Sequence, residues 1–224
     1  MRIPIFVVNL IGITMTKTLP FNKEQIQKII EQFPTPFHIY DEKAILDNAE
    51  ELKKAFAWNE GFHEYFAVKA TPNPFLIKLL AQHGFGCDCS SYPELLLSQQ
   101  VGNVGENIMF TSNNTGDYEF QKARNLGAII NLDDISHVEF LETCAGLPEL
   151  VSFRYNPGNL KAGNDIIGNP EEAKYGCMES QLFEGYKLLK EKGVKRFGIH
   201  TMVASNELNE EYFAETARIL FNVT

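Results

Sequence analysis

The chain's periodicity predicts an α/β fold: a (β/α)8 barrel of the TIM type, incomplete at about six strand–helix units. Three observations carry this reading. β-prone runs begin near Tyr65, Cys87, Ile108, Ala128, Val151 and Phe197, the first five about 21 to 22 residues apart. Helical stretches fill the gaps, and Gly84, Gly102 and Gly127 follow them as left-handed caps do. The units are nearly equal in length and no Gly-rich phosphate loop follows the first run, which favours a barrel over a doubly wound open sheet.

Taken in order, the elements justify themselves locally. Ile3 to Ile13 is largely apolar after Arg2, but Pro4 and Asn9 interrupt it and no small-x-small cleavage site follows. It is also shorter than the roughly 20 apolar residues a membrane span needs. Residues 1–14 are therefore expected to be a leader or a mis-assigned start, with Met15 the more natural beginning. Residues 15–60 are expected to form an N-terminal helix, strand and helix. Ile26, Ile29, Ile30 and Phe33 make a helical stripe that Pro34 and Pro36 stop. Phe37 to Tyr40 reads as a short strand. Asp41 can cap a helix whose apolar face is Ile45, Ala49, Leu52 and Phe56.

Residues 61–224 are expected to form the partial barrel. Tyr65 to Val68 is its first strand, and Pro74 suits a first helical turn. Helices are expected over Pro74–His83, Tyr92–Val101, Asp117–Leu126, Ser136–Leu141 and about Glu179–Lys192, with a Gly/Asn/Pro-rich loop over Asn156–Asn169. Parallel strands joined by right-handed crossovers follow from the alternation.

Composition narrows the function. The 224 residues carry a net charge of −9 with no basic run, which argues against nucleic acid as a partner. Cys87, Cys89, Cys144 and Cys177 are too scattered for a disulfide framework and lack a second pair at metal-ligand spacing, so they read as buried thiols of a cytoplasmic protein with no metal site. HExxH, GxSxG, Walker A and GxGxxG patterns are absent. His38, His63, His83 and His137 read as surface or cap residues.

What remains is a ring of polar strand ends. Lys69 ends the first apolar run, where a barrel delivers side chains to its catalytic face. A lysine there is expected to be partly desolvated, which favours the neutral amine that Schiff-base chemistry needs. Asp88 and Ser91 follow the second strand, Thr111 to Asn114 the third, and Asn131, Asp133 and Asp134 the fourth. Arg154 and Asn156 close the fifth, and His200, Thr201 and Ser205 the sixth.

Six short motifs, in order, resemble one family. Thr35-Pro36-Phe37-His38-Ile39-Tyr40-Asp41, Phe66-Ala67-Val68-Lys69-Ala70 and Phe85-Gly86-Cys87-Asp88-Cys89-Ser90-Ser91 resemble segments of the diaminopimelate decarboxylases. So do Ile129-Ile130-Asn131-Leu132-Asp133, Arg154-Tyr155-Asn156-Pro157-Gly158 and Ala173-Lys174-Tyr175-Gly176. These are alanine-racemase-like, pyridoxal-phosphate-dependent enzymes. The resemblance implies that Lys69 carries pyridoxal phosphate, and that Asp88, Arg154, His200 and Ser205 contact the cofactor. The activity it implies is decarboxylation of meso-diaminopimelate to L-lysine, on a homodimer that binds a small amino-acid substrate and no membrane.

Two departures qualify it. The family has Gly-x-His-x-His-x-Gly-Ser where this chain reads Gly198-Ile199-His200-Thr201-Met202-Val203-Ala204-Ser205, so Met202 or His200 takes the place against the cofactor ring. The family also continues into a Gly-rich phosphate loop, a Glu-Pro-Gly-Arg segment and a C-terminal β-domain that this chain lacks. The chain is therefore expected to be C-terminally shortened and inactive alone. The alternatives are a decarboxylase for carboxynorspermidine, arginine or ornithine, or a non-catalytic pyridoxal-phosphate-binding barrel.

Overall fold

Residues 19–163, 168–173 and 175–224 are described by the computed structural model, so the expected leader over residues 1–14 lies outside the described residues. The chain divides into one unit up to residue 54 and another from residue 55 onward.

The first unit is helical. Helix α1 (Lys23–Gln32) opens on a capping box, in which Asn22 Oδ1 accepts from Gln25 N at 2.9 Å and Gln25 Oε1 accepts from Asn22 N at 2.8 Å. Helix α2 (Glu42–Ala55) begins where Asp41 Oδ1 accepts from Ala44 N at 3.1 Å, the cap expected of Asp41. The strand expected over Phe37–Tyr40 is not formed. A strand exists only through a ladder partner, and no described residue pairs with this segment.

In the second unit the alternation is realised as six parallel strands, hydrogen-bonded in chain order: β1 (Tyr65–Ala67), β2 (Gly86–Cys89), β3 (Ile108–Thr111), β4 (Ile129–Leu132), β5 (Leu150–Arg154) and β6 (Arg196–His200). Between and after them run α3 (Pro74–Gln82), α4 (Tyr92–Gln100), α5 (Asp117–Leu126), α6 (His137–Ala145), α7 (Glu179–Glu191) and α8 (Glu210–Val223). These are six consecutive units of a (β/α)8 barrel. Helix α6 runs four residues beyond its expected end at Leu141, to Ala145, where Gly146 at φ +74° turns the chain out. No helix among the described residues is long and apolar enough to cross a membrane.

Register sorts the side chains. Successive residues of a strand point to opposite faces. Cys87, Cys89, Ile108, Phe110, Ile130, Leu132, Val151 and Phe153 are all buried in the core with Leu95, Leu141, Leu182 and Leu189 of the helices. At Gly185 of α7 an added Cβ would meet the Phe153 ring at 2.8 Å, so a bare backbone is what lets this helix close on β5. The intervening positions carry Asp88, Thr111, Asn131, Ser152, Arg154, Gly198 and His200. Their register aligns them across the sheet: Thr111 opposite Asn131, Asn131 opposite Ser152, Ser152 opposite Gly198 and Arg154 opposite His200.

Within the second unit, one buried carboxyl group ties two strand–helix repeats together. Glu119 Oε1 accepts from Tyr92 N at 3.0 Å and its Oε2 from Gly116 N at 2.9 Å. The first turns of α4 and α5 thus share a single acceptor for donors that a helix start leaves open.

Candidate functional site

The polar ends of the strands converge on one cavity of about 180 Å³, lined by Lys69, Asp88, Thr111, Arg154 and His200, together with Asn113, Tyr175 and Met202. They come from five strands, β1, β2, β3, β5 and β6, and the loops after them, as barrel sites are built.

Lys69 sits on a single 3-10 turn, Val68–Ala70, directly after β1. Val68 is fully buried and anchors the turn, and Thr71 N donates to Val68 O at 3.2 Å. The turn carries Lys69 out past the end of the strand, so its side chain is exposed rather than desolvated as expected. Among the described residues it forms no ion pair.

Asp88 lies on β2, opposite Ala67 of β1. Its Oδ1 is buried without a hydrogen-bond partner, as is Thr111 Oγ1. Burial pushes the Asp88 carboxyl above the usual aspartate range, and the Glu94 charge adds to this. The Thr111 hydroxyl and the charges of Lys69 and Arg154 oppose the shift. Thr111 is thus near enough to act on Asp88 while lying outside hydrogen-bond geometry.

Arg154 ends β5. Its Nε is 3.0 Å from Asp133 Oδ1, with both side chains at most 12% exposed. Neither atom has a partner in hydrogen-bond geometry, so the contact is ionic. Burial raises the Asp133 carboxyl, and Arg154 is the main influence pulling it back. The guanidinium carbon also lies 5.0 Å from the centre of the Tyr175 ring, within cation–π range.

His200 ends β6, opposite Arg154. Burial, and then the charges of Arg154 and Lys69, lower its pKa from 6.5 to about 4. At neutral pH it is an uncharged imidazole, one nitrogen a donor and the other an acceptor. Met202 lines the same cavity two residues on, so the structure brings both candidates for the ring-facing place together.

Ser205 is not among the residues lining this cavity. After β6, Thr201 Oγ1 donates to Tyr155 O at 2.9 Å and Asn206 takes a left-handed φ of 53°. Sequence reasoning gave no separate role to Tyr175 or Ser152. Tyr175 sits in a loop whose approach to Arg154 only the fold reveals. Ser152 lies inside an apolar run, and its one signal is its parity with Arg154. No cluster of His, Cys, Asp and Glu able to hold a metal ion occurs among the described residues.

Comparison with known proteins gives the family. Residues 42–224 match the family model described as "Pyridoxal-dependent decarboxylase, pyridoxal binding domain". Among curated proteins, the chain is 42% identical to Protein TabA of Pseudomonas amygdali pv. tabaci, over 83% of this chain and 43% of that protein. It is 30% identical to the diaminopimelate decarboxylase of Methanothermobacter thermautotrophicus, over 88% of this chain and 46% of that one. Among solved structures, a diaminopimelate decarboxylase from M. jannaschii in co-complex with L-lysine has a TM-score of 0.77 at 25% identity, covering 87% of this chain and 48% of that chain. The chain spans about half the length of the curated relatives it matches.

Proposed function

This chain belongs to the pyridoxal-dependent decarboxylases, and from that premise we propose that it forms the cofactor-bearing part of an amino-acid decarboxylase, with meso-diaminopimelate as substrate and L-lysine as product. The observation that carries the reading is the convergence of Lys69, Asp88, Arg154 and His200 from four strand ends on one cavity.

The residues present fit pyridoxal phosphate. Lys69 offers an amine without an ion pair among the described residues, and Asp88 Oδ1 is a buried acceptor still lacking a partner. When bound, the cofactor supplies a conjugated ring that takes up the electron pair left by the departing α-carboxylate. The chain's own residues do the rest. Lys69 Nζ would hold the cofactor covalently. Asp88, its carboxyl pushed up from the usual range by burial, would present a buried carboxyl oxygen beside that attachment. Arg154, kept in place by Asp133 and Tyr175, sets a fixed positive charge against an anionic group of the ligand. His200 contributes an uncharged donor.

The greater identity to Protein TabA than to the diaminopimelate decarboxylase supports a second reading, in which the amino-acid substrate differs. Arginine, ornithine and carboxynorspermidine are the comparisons to run. Four free cysteines, three of them buried, accord with a reducing cytoplasm, and a homodimer is the assembly proposed for the whole enzyme.

The test is to incubate the purified chain with pyridoxal phosphate, reduce with borohydride and map the modified lysine by mass spectrometry. A single adduct at Lys69 is expected; a folded chain that shows none there refutes the assignment. CO2 release from meso-diaminopimelate and from the other amino acids then tests activity. None is expected from these 224 residues alone, because the diaminopimelate decarboxylase it resembles has more than twice the length matched. Appreciable turnover would assign the whole reaction to this chain.

A further inference from the structure

Beside His200 the sheet carries a polar pair that none of the roles above uses. Asn131 and Ser152 are 2% and 1% exposed and stand directly opposite each other in the β4–β5 register. Ser152 Oγ donates to Asn131 Oδ1 at 2.8 Å, and Asn131 Nδ2 reaches His200 Nδ1 at 3.5 Å, a long contact. A hydroxyl cut off from water must place its proton on an acceptor. Asn131 Oδ1 is that acceptor, which turns the Nδ2 group, a donor only, toward the imidazole. A ring nitrogen that faces a donor is the bare one, so the ring proton resides on Nε2.

Gly198 keeps this crossing open. An added Cβ there would meet Ser152 Cβ at 3.1 Å and Oγ at 3.2 Å, displacing the hydroxyl that orients the amide. Arg154 on β5 and Lys69 after β1 both disfavour a proton on both ring nitrogens.

We propose that Asn131 and Ser152 are positioning residues that hold His200 as its Nε2–H tautomer, giving the cavity a fixed, uncharged hydrogen-bond donor for an anionic oxygen of the cofactor or substrate. The use of that donor rests on the function proposed above; the tautomer does not, since it is set by the protein alone.

Long-range 1H–15N correlation spectra of the 15N-histidine chain, without cofactor, distinguish protonated from bare ring nitrogens. His200 is assigned by the signal that disappears in His200→Gln. The wild type is expected to show a protonated Nε2 and a bare Nδ1. In Asn131→Asp the carboxylate accepts instead, so the proton moves to Nδ1 and the titration midpoint of His200 rises by about 1–3 pH units. In Ser152→Ala the amide is free to rotate and the two tautomers mix. A wild-type ring protonated at Nδ1, or a tautomer unmoved by both substitutions, overturns the proposal. Should a variant fail to fold, the wild-type spectrum decides. Lys69 labelling by pyridoxal phosphate and borohydride is read separately: an Nε2–H ring without labelling defeats the functional reading and leaves the tautomer device standing.

Discussion

The two faces of the same strands do opposite work. Toward the helices, Cys89, Ile108, Phe110, Ile130, Leu132, Val151 and Phe153 are fully buried. On the alternate positions the same strands carry Asp88, Thr111, Asn131, Ser152, Arg154 and His200, with buried oxygens left unpaired and a carboxyl and an imidazole moved away from their ordinary pKa values. Parity alone separates them. Stability is expected from one set of residues and the proposed chemistry from the other, and in the second set Asp88 Oδ1, Thr111 Oγ1 and Arg154 Nε depart from the usual rule that buried polar groups find partners.

Substitutions can break or sharpen that contrast. The largest effect is expected at Phe153, fully buried and edge-on to Tyr186 at 5.2 Å. Phe153→Ala should cost about 3–5 kcal/mol in urea unfolding, and a loss under about 1 kcal/mol would remove the helix-facing side as the seat of stability. Asp133→Ala, which leaves the Arg154 charge without its counter-ion, should cost about 1–3 kcal/mol.

The His200 pKa yields a pH signature. Its folded value of about 4 lies below its ordinary 6.5. Below 6.5 the unfolded chain takes up a proton that the folded chain refuses, so the folded state loses stability as pH falls from about 6.5 to about 4. Above 6.5 this group contributes nothing. Unfolding curves of wild type and His200→Gln should therefore agree at pH 7 apart from a constant offset and diverge below it; parallel curves down to pH 4 would show that this imidazole is not protected. The smallest stability effect belongs to Lys69→Ala. The side chain is exposed, so unfolding should shift by no more than about 0.5 kcal/mol, while borohydride-trapped cofactor at this position disappears. A large loss of stability would move Lys69 from the chemical set into the structural one.

Much of the fold is legible from local pattern. Strand starts are found within a residue of where β-prone runs begin, and Asp117–Leu126 has its expected bounds, because Gly127 at φ +73° marks the end with a conformation few other residues take. Phe37–Tyr40 fails because a ladder needs a partner, which no local pattern states. Lys69 fails in its burial because one 3-10 turn decides whether a strand end faces in or out. The contact from Asn131 to His200 joins strands β4 and β6, and it depends on a register and on an absent side chain at Gly198. Neither is written in the spacing of any motif.

The shared carboxylate of Glu119 has a consequence for motion. Because Tyr92 N and Gly116 N depend on the two oxygens of one side chain, the starts of α4 and α5 cannot fray separately without stranding a buried carboxyl oxygen. Amide hydrogen exchange at these two positions should report a single opening event spanning β2 to α5, a cooperative unit larger than one strand–helix repeat.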